Sequence, residues 1–362
     1  MFMVIVSEIL LYLCVSLLIG SFLIALVPSS FRPQVNVPRS VQIIATIGIA
    51  VFSFAPVLLL VMHLYKNMGL SQTLQTVLLT FEVGKAWIFT FIVVNVLFIF
   101  IVWFDDRNKP IYSYIGITIV VILIMGIGWA SHASSLDHVK GFITHTSHFI
   151  AVSIWVGILL VVSWFSKDHS NWLNFLKWFS PVAIICFSIT IVSGLILMTF
   201  VVEFNEYANA WMLPYGQLLL LKHLTIIPLL VYAGINSILI RKKLLKDNDF
   251  NPIPWTRVES ILILVVFSIT AALGQQSPPS ENILKNEGLS KLFSFFYQGQ
   301  FQQGMNVELV ANATGLSLLL LAILFVVLTV YSFIKKAPVI VTFILSILFI
   351  FTSYLALLLS IQ

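Results

Sequence analysis

Ten stretches of this chain, 4–27, 40–65, 76–103, 111–131, 143–165, 177–202, 214–240, 257–275, 314–334 and 338–361, are apolar runs with few charges. Runs of about 20 such residues are what a helix needs to cross roughly 30 Å of hydrocarbon. Lipid offers backbone N–H and C=O groups no partner, so each run must satisfy them internally. The runs also lack the polar–apolar alternation of barrel strands. The sequence therefore predicts an all-α fold, a polytopic transmembrane bundle of about ten spans. Composition agrees: charged residues make up 9% of the chain, against about 25% in soluble proteins. That deficit excludes a soluble enzyme, a disordered chain and a nucleic-acid binder. The net charge of +5 and pI near 9.1 rest on scattered residues, with no basic stripe for a polyanion. The first run carries Glu8, lacks a basic leader and is too long for the apolar part of a signal peptide, so it reads as a mature helix. Cys14 and Cys186 lie in separate apolar runs and suggest no disulfide framework.

Lysine and arginine set the expected orientation, because cytoplasmic loops are enriched in them. The odd-numbered connections and their helix edges hold thirteen: Arg32, Arg39, Arg107, Lys109, Lys167, Lys177, Arg241, Lys242, Lys243, Lys246, Arg257, Lys335 and Lys336. The even-numbered ones hold Lys66, Lys140, Lys285 and Lys291, while Lys85 and Lys222 fall inside spans. Both termini are thus expected outside. The longest connection, 276–313, is then external. Within it Leu289, Leu292, Phe293, Phe296 and Tyr297 share one helical face, with Ser290, Lys291, Ser294 and Gln298 on the other. This is either an amphipathic helix on the outer interface, covering the bundle mouth, or a packed loop helix.

This topology gathers the soft and imidazole ligands on one side. All eight methionines fall in the outer half: Met1, Met3, Met62, Met68, Met125, Met198, Met212 and Met305. So do six histidines, His63, His132, His138, His145, His148 and His223, leaving His169 on the cytoplasmic side. Thioethers suit Cu(I), and imidazole accepts copper in either oxidation state, so capture of copper from outside is one reading of the asymmetry. The other is that methionines fill gaps in the core and interfacial histidines are solvated. The densest constellation is His132, His145, His148 and Trp155: His145 and His148 are i and i+3, Trp155 continues their stripe, and the loop lets His132 fold back beside His148. A metal or cofactor site and a hydrogen-bonded bundle histidine both fit it.

Glu82, Lys85, Lys222 and His223 stand inside apolar runs, where an uncompensated charge costs about 2.5–3.5 kcal/mol at mid-helix. Pairing of Glu82 with Lys85 or Lys222 in the bundle interior would remove much of that cost. Such a pair serves either as a structural clasp or as a coupling and gating site. Glu259 beside Arg257 reads as an interface anchor, and Asn95 and Asn236 as residues for hydrogen bonds between helices.

The stretch from His148 to Pro279 resembles the copper resistance protein D (CopD) family of bacterial inner-membrane proteins. The matching features are the helix His148-Phe-Ile-Ala-Val-Ser-Ile-Trp155-Val-Gly157, then Phe179-Ser180 and Ser193-Gly194. Tyr215-Gly216-Gln217 follows, leading to Lys222, with Asn236, Arg257-Val-Glu259 and Pro278-Pro279 downstream. Gly128-Trp-Ala-Ser-His132 is similar to the family's glycine-then-histidine helix end. Ile158 and Ser193 depart mildly from the family pattern. The resemblance implies four N-terminal helices over 1–131, a CopD-like core over 132–280, the external loop over 281–313 and two C-terminal helices over 314–362. It also implies copper as cargo, handled at the cytoplasmic membrane. An extracytoplasmic copper-binding protein of the CopC type, fused in some relatives, would here be a separate partner.

Three functions follow from these residues. The first is copper uptake, with His63, His132, His145, His148, His223, Met125, Met198 and Met212 as metal ligands and Glu82, Lys85, Lys222 and Trp155 in coupling or gating. The second is haem-based electron transfer, two of the histidines holding haem b between helices. The third is an assembly factor or sensor delivering copper to an extracytoplasmic oxidase. No nucleophile–base pair, phosphate loop or HExxH motif supports an enzyme.

Overall fold

Continuous apolar sequence becomes helix wherever nothing interrupts the backbone ladder, and the interruptions shape this molecule. The computed structural model describes residues 1–104, 109–247, 249–279, 288–297 and 306–361. Among these, ten helical segments are long and apolar enough to cross a bilayer, at the ten predicted positions. The chain forms two compact units, Met1–Phe200 and Val201–Gln362.

In the first unit α1 is Phe2–Leu26. The second span is two helices, α2 (Arg39–Phe52) and α3 (Ala55–Met68), broken at Ser53–Phe54. Pro56 in the first turn of α3 lacks an N–H and cannot continue the ladder. After Gly69, at φ 77°, α4 (Leu70–Thr80) runs to the extended residue Phe81, and α5 is Glu82–Trp103. The predicted run 76–103 therefore joins parts of two helices. α6 (Pro110–Trp129), a short α7 (His132–Leu136), α8 (His138–Phe165) and α9 (Trp172–Thr199) complete the unit.

α1 is its centre, packed on α2, α6 and α8. Gly20 of α1 meets Gly157 of α8 with no room for a Cβ on either, and a Cβ on Gly157 would strike the Ser16 carbonyl. Backbone thus lies on backbone, the close approach that small residues permit between membrane helices. Around this crossing Val15, Leu18, Ile19, Phe22, Leu97, Val120, Leu123 and Ile124 are buried. Beyond the C-terminal ends of α1 and α8, connections 1–2 and 5–6 are tied together. The Gln34 N–H donates to Asp168 Oδ1 at 3.1 Å, Lys167 N–H to the Gln34 carbonyl at 2.8 Å, and Trp178 Nε1 to the Phe31 carbonyl at 2.8 Å. These two basic connections lie on one side, as the charge pattern requires.

The second unit is tied by polar side chains. α10 (Pro214–Gly234) passes through one π-turn, Ile235–Leu239, into α11 (Ile240–Leu244). α12 (Ile253–Leu273), α13 (Lys291–Phe296), α14 (Ala313–Ile334) and α15 (Val339–Leu358) follow. Buried Gln217 donates to the Trp211 carbonyl at 2.5 Å and accepts from Tyr354 of α15. Tyr232 donates to Thr342 of α15 at 2.5 Å. α13 realises the packed-helix reading of the long connection: Phe293 is buried against Trp211, Met212, Tyr354 and Leu358. Gln298 lies outside the described residues, as do Arg107, Lys285 and Met305.

Candidate functional site

The site is built at the start of α8. Gly128, near the end of α6, approaches Thr146 so closely that a Cβ would strike its hydroxyl, and Gly141 of α8 likewise admits the Ala133 carbonyl of α7. Ser131 caps α7, its hydroxyl accepting from the Ser134 N–H at 3.3 Å, and Asp137 caps α8, accepting from the Lys140 N–H at 3.0 Å. Two small residues and two caps thus fold α7 onto α8 and bring His132, the first residue of α7, to the His145 side of α8.

His145 and His148 turn to different neighbours. The His145 Nδ1 is buried with no hydrogen-bond partner. Its ring stands 6.4 Å from Phe149, which meets Tyr12 of α1 edge-on at 5.5 Å. His132, itself exposed, is close enough for a charge there to act on His145. His148 Nδ1 lies 3.0 Å from Ser193 Oγ on α9. The Ser193 hydroxyl donates to the Ile189 carbonyl at 2.5 Å, so its oxygen accepts from His148 Nδ1–H. That tautomer puts the ring's lone pair at Nε2, a usual metal-binding atom, oriented by a hydrogen bond on the other nitrogen. Gly194 leaves the imidazole its place: a Cβ there would sit 3.4 Å from His148 Cε1. Trp155, two turns further on, is buried edge-on to Phe187 at 5.7 Å.

The remaining residues singled out are dispersed. His63 is exposed and its Nδ1 bonds the Leu59 carbonyl of its own helix at 2.8 Å. Met125 is 43% exposed, while Met198 and Met212 are buried. In the second unit His223 Nδ1 is 2.6 Å from the Tyr207 hydroxyl. Burial pushes the Tyr207 phenol up to about 12, so it is neutral in this pair at ordinary pH. Lys222 is part-buried with no ion-pair partner among the described residues. Among the described residues no three His, Cys, Asp or Glu side chains gather into a metal-holding group.

Two expectations are corrected. Glu82 and Lys85 pair at 2.9 Å, but with side chains 59% and 51% exposed, not in the bundle interior. The reason is the break at Phe81, which makes Glu82 the first residue of α5, where the helix dipole favours an anion. Trp129 Nε1 donates to the same carboxylate at 3.3 Å. Glu259 is not an interface anchor: it is 3% exposed and accepts from Asn236 Nδ2 at 2.5 Å. Asn236 does bond between helices, whereas Asn95 bonds the Phe91 carbonyl of its own helix at 2.7 Å. Sequence reasoning missed Ser193 as the partner of His148 and Tyr207 as that of His223. The Ser193-Gly194 pair was the available signal for the first, and the second had none.

Comparison with known proteins gives concordant results. The family described as Copper resistance protein D matches residues 173–273, and the Copper resistance protein D-like N-terminal domain matches residues 1–142. The chain is 26% identical over 214 residues to the Inner membrane protein YebZ of Escherichia coli (strain K12), a match covering 55% of this chain and 71% of that protein. No solved structure matches. The two matched segments take in all of α1–α6, nearly all of α9, and α10–α12, and they flank the His145–His148 helix: the chain belongs to the copper resistance protein D family.

Proposed function

We propose that the protein carries copper across the bacterial inner membrane, inward, receiving the ion at the α7–α8 end with both chain termini on the same, outer side. The observation that carries this reading is the state of two imidazoles one turn apart. His148 is oriented through Nδ1 by Ser193, and His145 keeps a buried Nδ1 that no protein group satisfies. An unpaired buried polar atom costs about 1–3 kcal/mol, a cost that ligation would remove. His132, exposed at the start of α7, lies on the His145 side of this end, and imidazole suits copper in both oxidation states. A separate CopC-type protein is the donor that fits the outer face. Within the second unit, the part-buried Lys222 is the charge assigned to gating. The Glu82–Lys85 pair acts at the rim, and Trp155 packs the helix beneath the imidazoles.

The test is copper accumulation in cells expressing the wild type, His148→Ala or His145→Ala at equal membrane levels. At least a tenfold loss in both variants is expected, and unchanged accumulation in His148→Ala removes that residue from the path. Flux into proteoliposomes separates transport from delivery to an oxidase, which predicts bound copper without flux. A Soret band in the purified protein would favour haem instead.

A further inference from the structure

The second unit buries a carboxyl group for which copper capture has no use. Glu259 lies six residues into α12, about 9 Å from its first residue at 1.5 Å per residue. It is 3% exposed, among Trp255, Leu262 and Ile263, which are also buried. The one hydrogen bond described for it comes from Asn236 Nδ2, which also reaches the Trp255 carbonyl at 3.5 Å. Asn236 is 6% exposed and sits in the π-turn, yet its Oδ1 has no donor. Single π-turns inside α-helices recur at functional sites.

The charged and titratable groups on the packed elements leave that oxygen unserved. Tyr232 of α10 gives its hydroxyl to Thr342, and Tyr354 of α15 gives its own to Gln217. Arg257 of α12 is exposed, as are Tyr331, Lys335 and Lys336 around Phe333 of α14, which packs on Trp255. Arg241, Lys242 and Lys243 lie on α11 beyond the π-turn, and Lys222 and His223 lie mid-way along α10, more than ten residues before Asn236. A buried ionised carboxylate costs several kcal/mol unless charge-paired and fully hydrogen-bonded. A single proton answers both defects: on the carboxyl it removes the charge, and its O–H supplies the donor that Asn236 Oδ1 lacks.

We propose that Glu259 and Asn236 form a one-proton site, closed as an acid–amide pair in which Asn236 Nδ2 donates to one carboxyl oxygen and the Glu259 O–H donates to Asn236 Oδ1. The proton comes from and returns to water, so uptake changes the charge of the unit by one. Infrared difference titration of the metal-free protein in lipid nanodiscs tests this without reference to copper. The wild type should show a protonated-carboxyl C=O band that bleaches as pH rises. Glu259→Gln, which keeps an acceptor for Asn236, should lose that band, while Glu8→Gln retains it. In Asn236→Leu the band should move to higher frequency, having lost its hydrogen bonds. Superimposable wild-type and Glu259→Gln titrations would overturn the proposal, as would loss of a carboxylate band rather than an acid band. Gel filtration confirms that each variant is folded, and Asn236→Leu carries the test if Glu259→Gln is not.

Discussion

The two units solve the same problem, holding helices together where lipid competes as well as protein does, by different means. In Met1–Phe200 the central crossing is made by leaving side chains out, at Gly20 and Gly157. In Val201–Gln362 the helices are joined by buried polar pairs: Gln217 with Tyr354, Tyr232 with Thr342 and Asn236 with Glu259. Close backbone packing fixes distance without adding polar atoms, which suits a unit that presents imidazoles to a cation. Polar pairing fixes register and also leaves groups able to change protonation. On the proposed readings, ligand presentation belongs to one unit and proton exchange to the other.

The contrast can be broken most severely at Gly157. Gly157→Leu forces side chain onto backbone and should cost about 3 kcal/mol, the upper end for overpacking, seen as a collapse of the thermal midpoint in detergent. Gln217→Leu strands the Tyr354 hydroxyl and the Trp211 carbonyl and should cost about 2 kcal/mol, with the His145–His148 end of the first unit unaffected. Ser193→Ala should be milder, about 0.6 kcal/mol, typical of one hydrogen bond between membrane helices. It should nonetheless weaken copper binding more than stability, because it frees the His148 ring; equal effects on both would make Ser193 only a packing residue.

The smallest expected effect lies at the loop tie. Hydrogen bonds from Ser170 and then from the Gln34 N–H hold the Asp168 carboxyl below its ordinary range. A depressed folded value means the tie contributes fully above the unfolded carboxyl range and is lost as pH falls through the folded value. Amide exchange at Gln34 should therefore accelerate only in that acid window. Because Asp168 lies in a surface connection and is only partly buried, global stability should barely change.

Hydropathy located all ten spans because it measures avoidance of water, and every span avoids water. It could not separate lipid-facing from core-facing residues: Ile184 and Val192 are 64% and 59% exposed, and Leu18 is fully buried, yet all three are equally apolar. The breaks at Ser53–Phe54 and Phe81 were invisible for the same reason, and with them the rim position of Glu82 and Lys85. At the candidate site the sequence placed His145 and His148 on one helix, since i, i+3 spacing is local. Which neighbour each ring meets depends on α1 and α9, far away in the chain. Glu259 was misjudged because its proximity to Arg257 in sequence outweighed Asn236, which only the fold brings near.

The contact between Gly20 and Gly157 has one more implication. Sliding α8 by one position would press a side chain onto the backbone of α1, so the contact would serve as a fulcrum for tilting rather than a track for sliding. His148 stands nine residues away, a lever arm of about 14 Å at 1.5 Å per residue. A tilt of about 5° over that arm carries the imidazole roughly 1 Å, enough to make or break a bond of hydrogen-bond length.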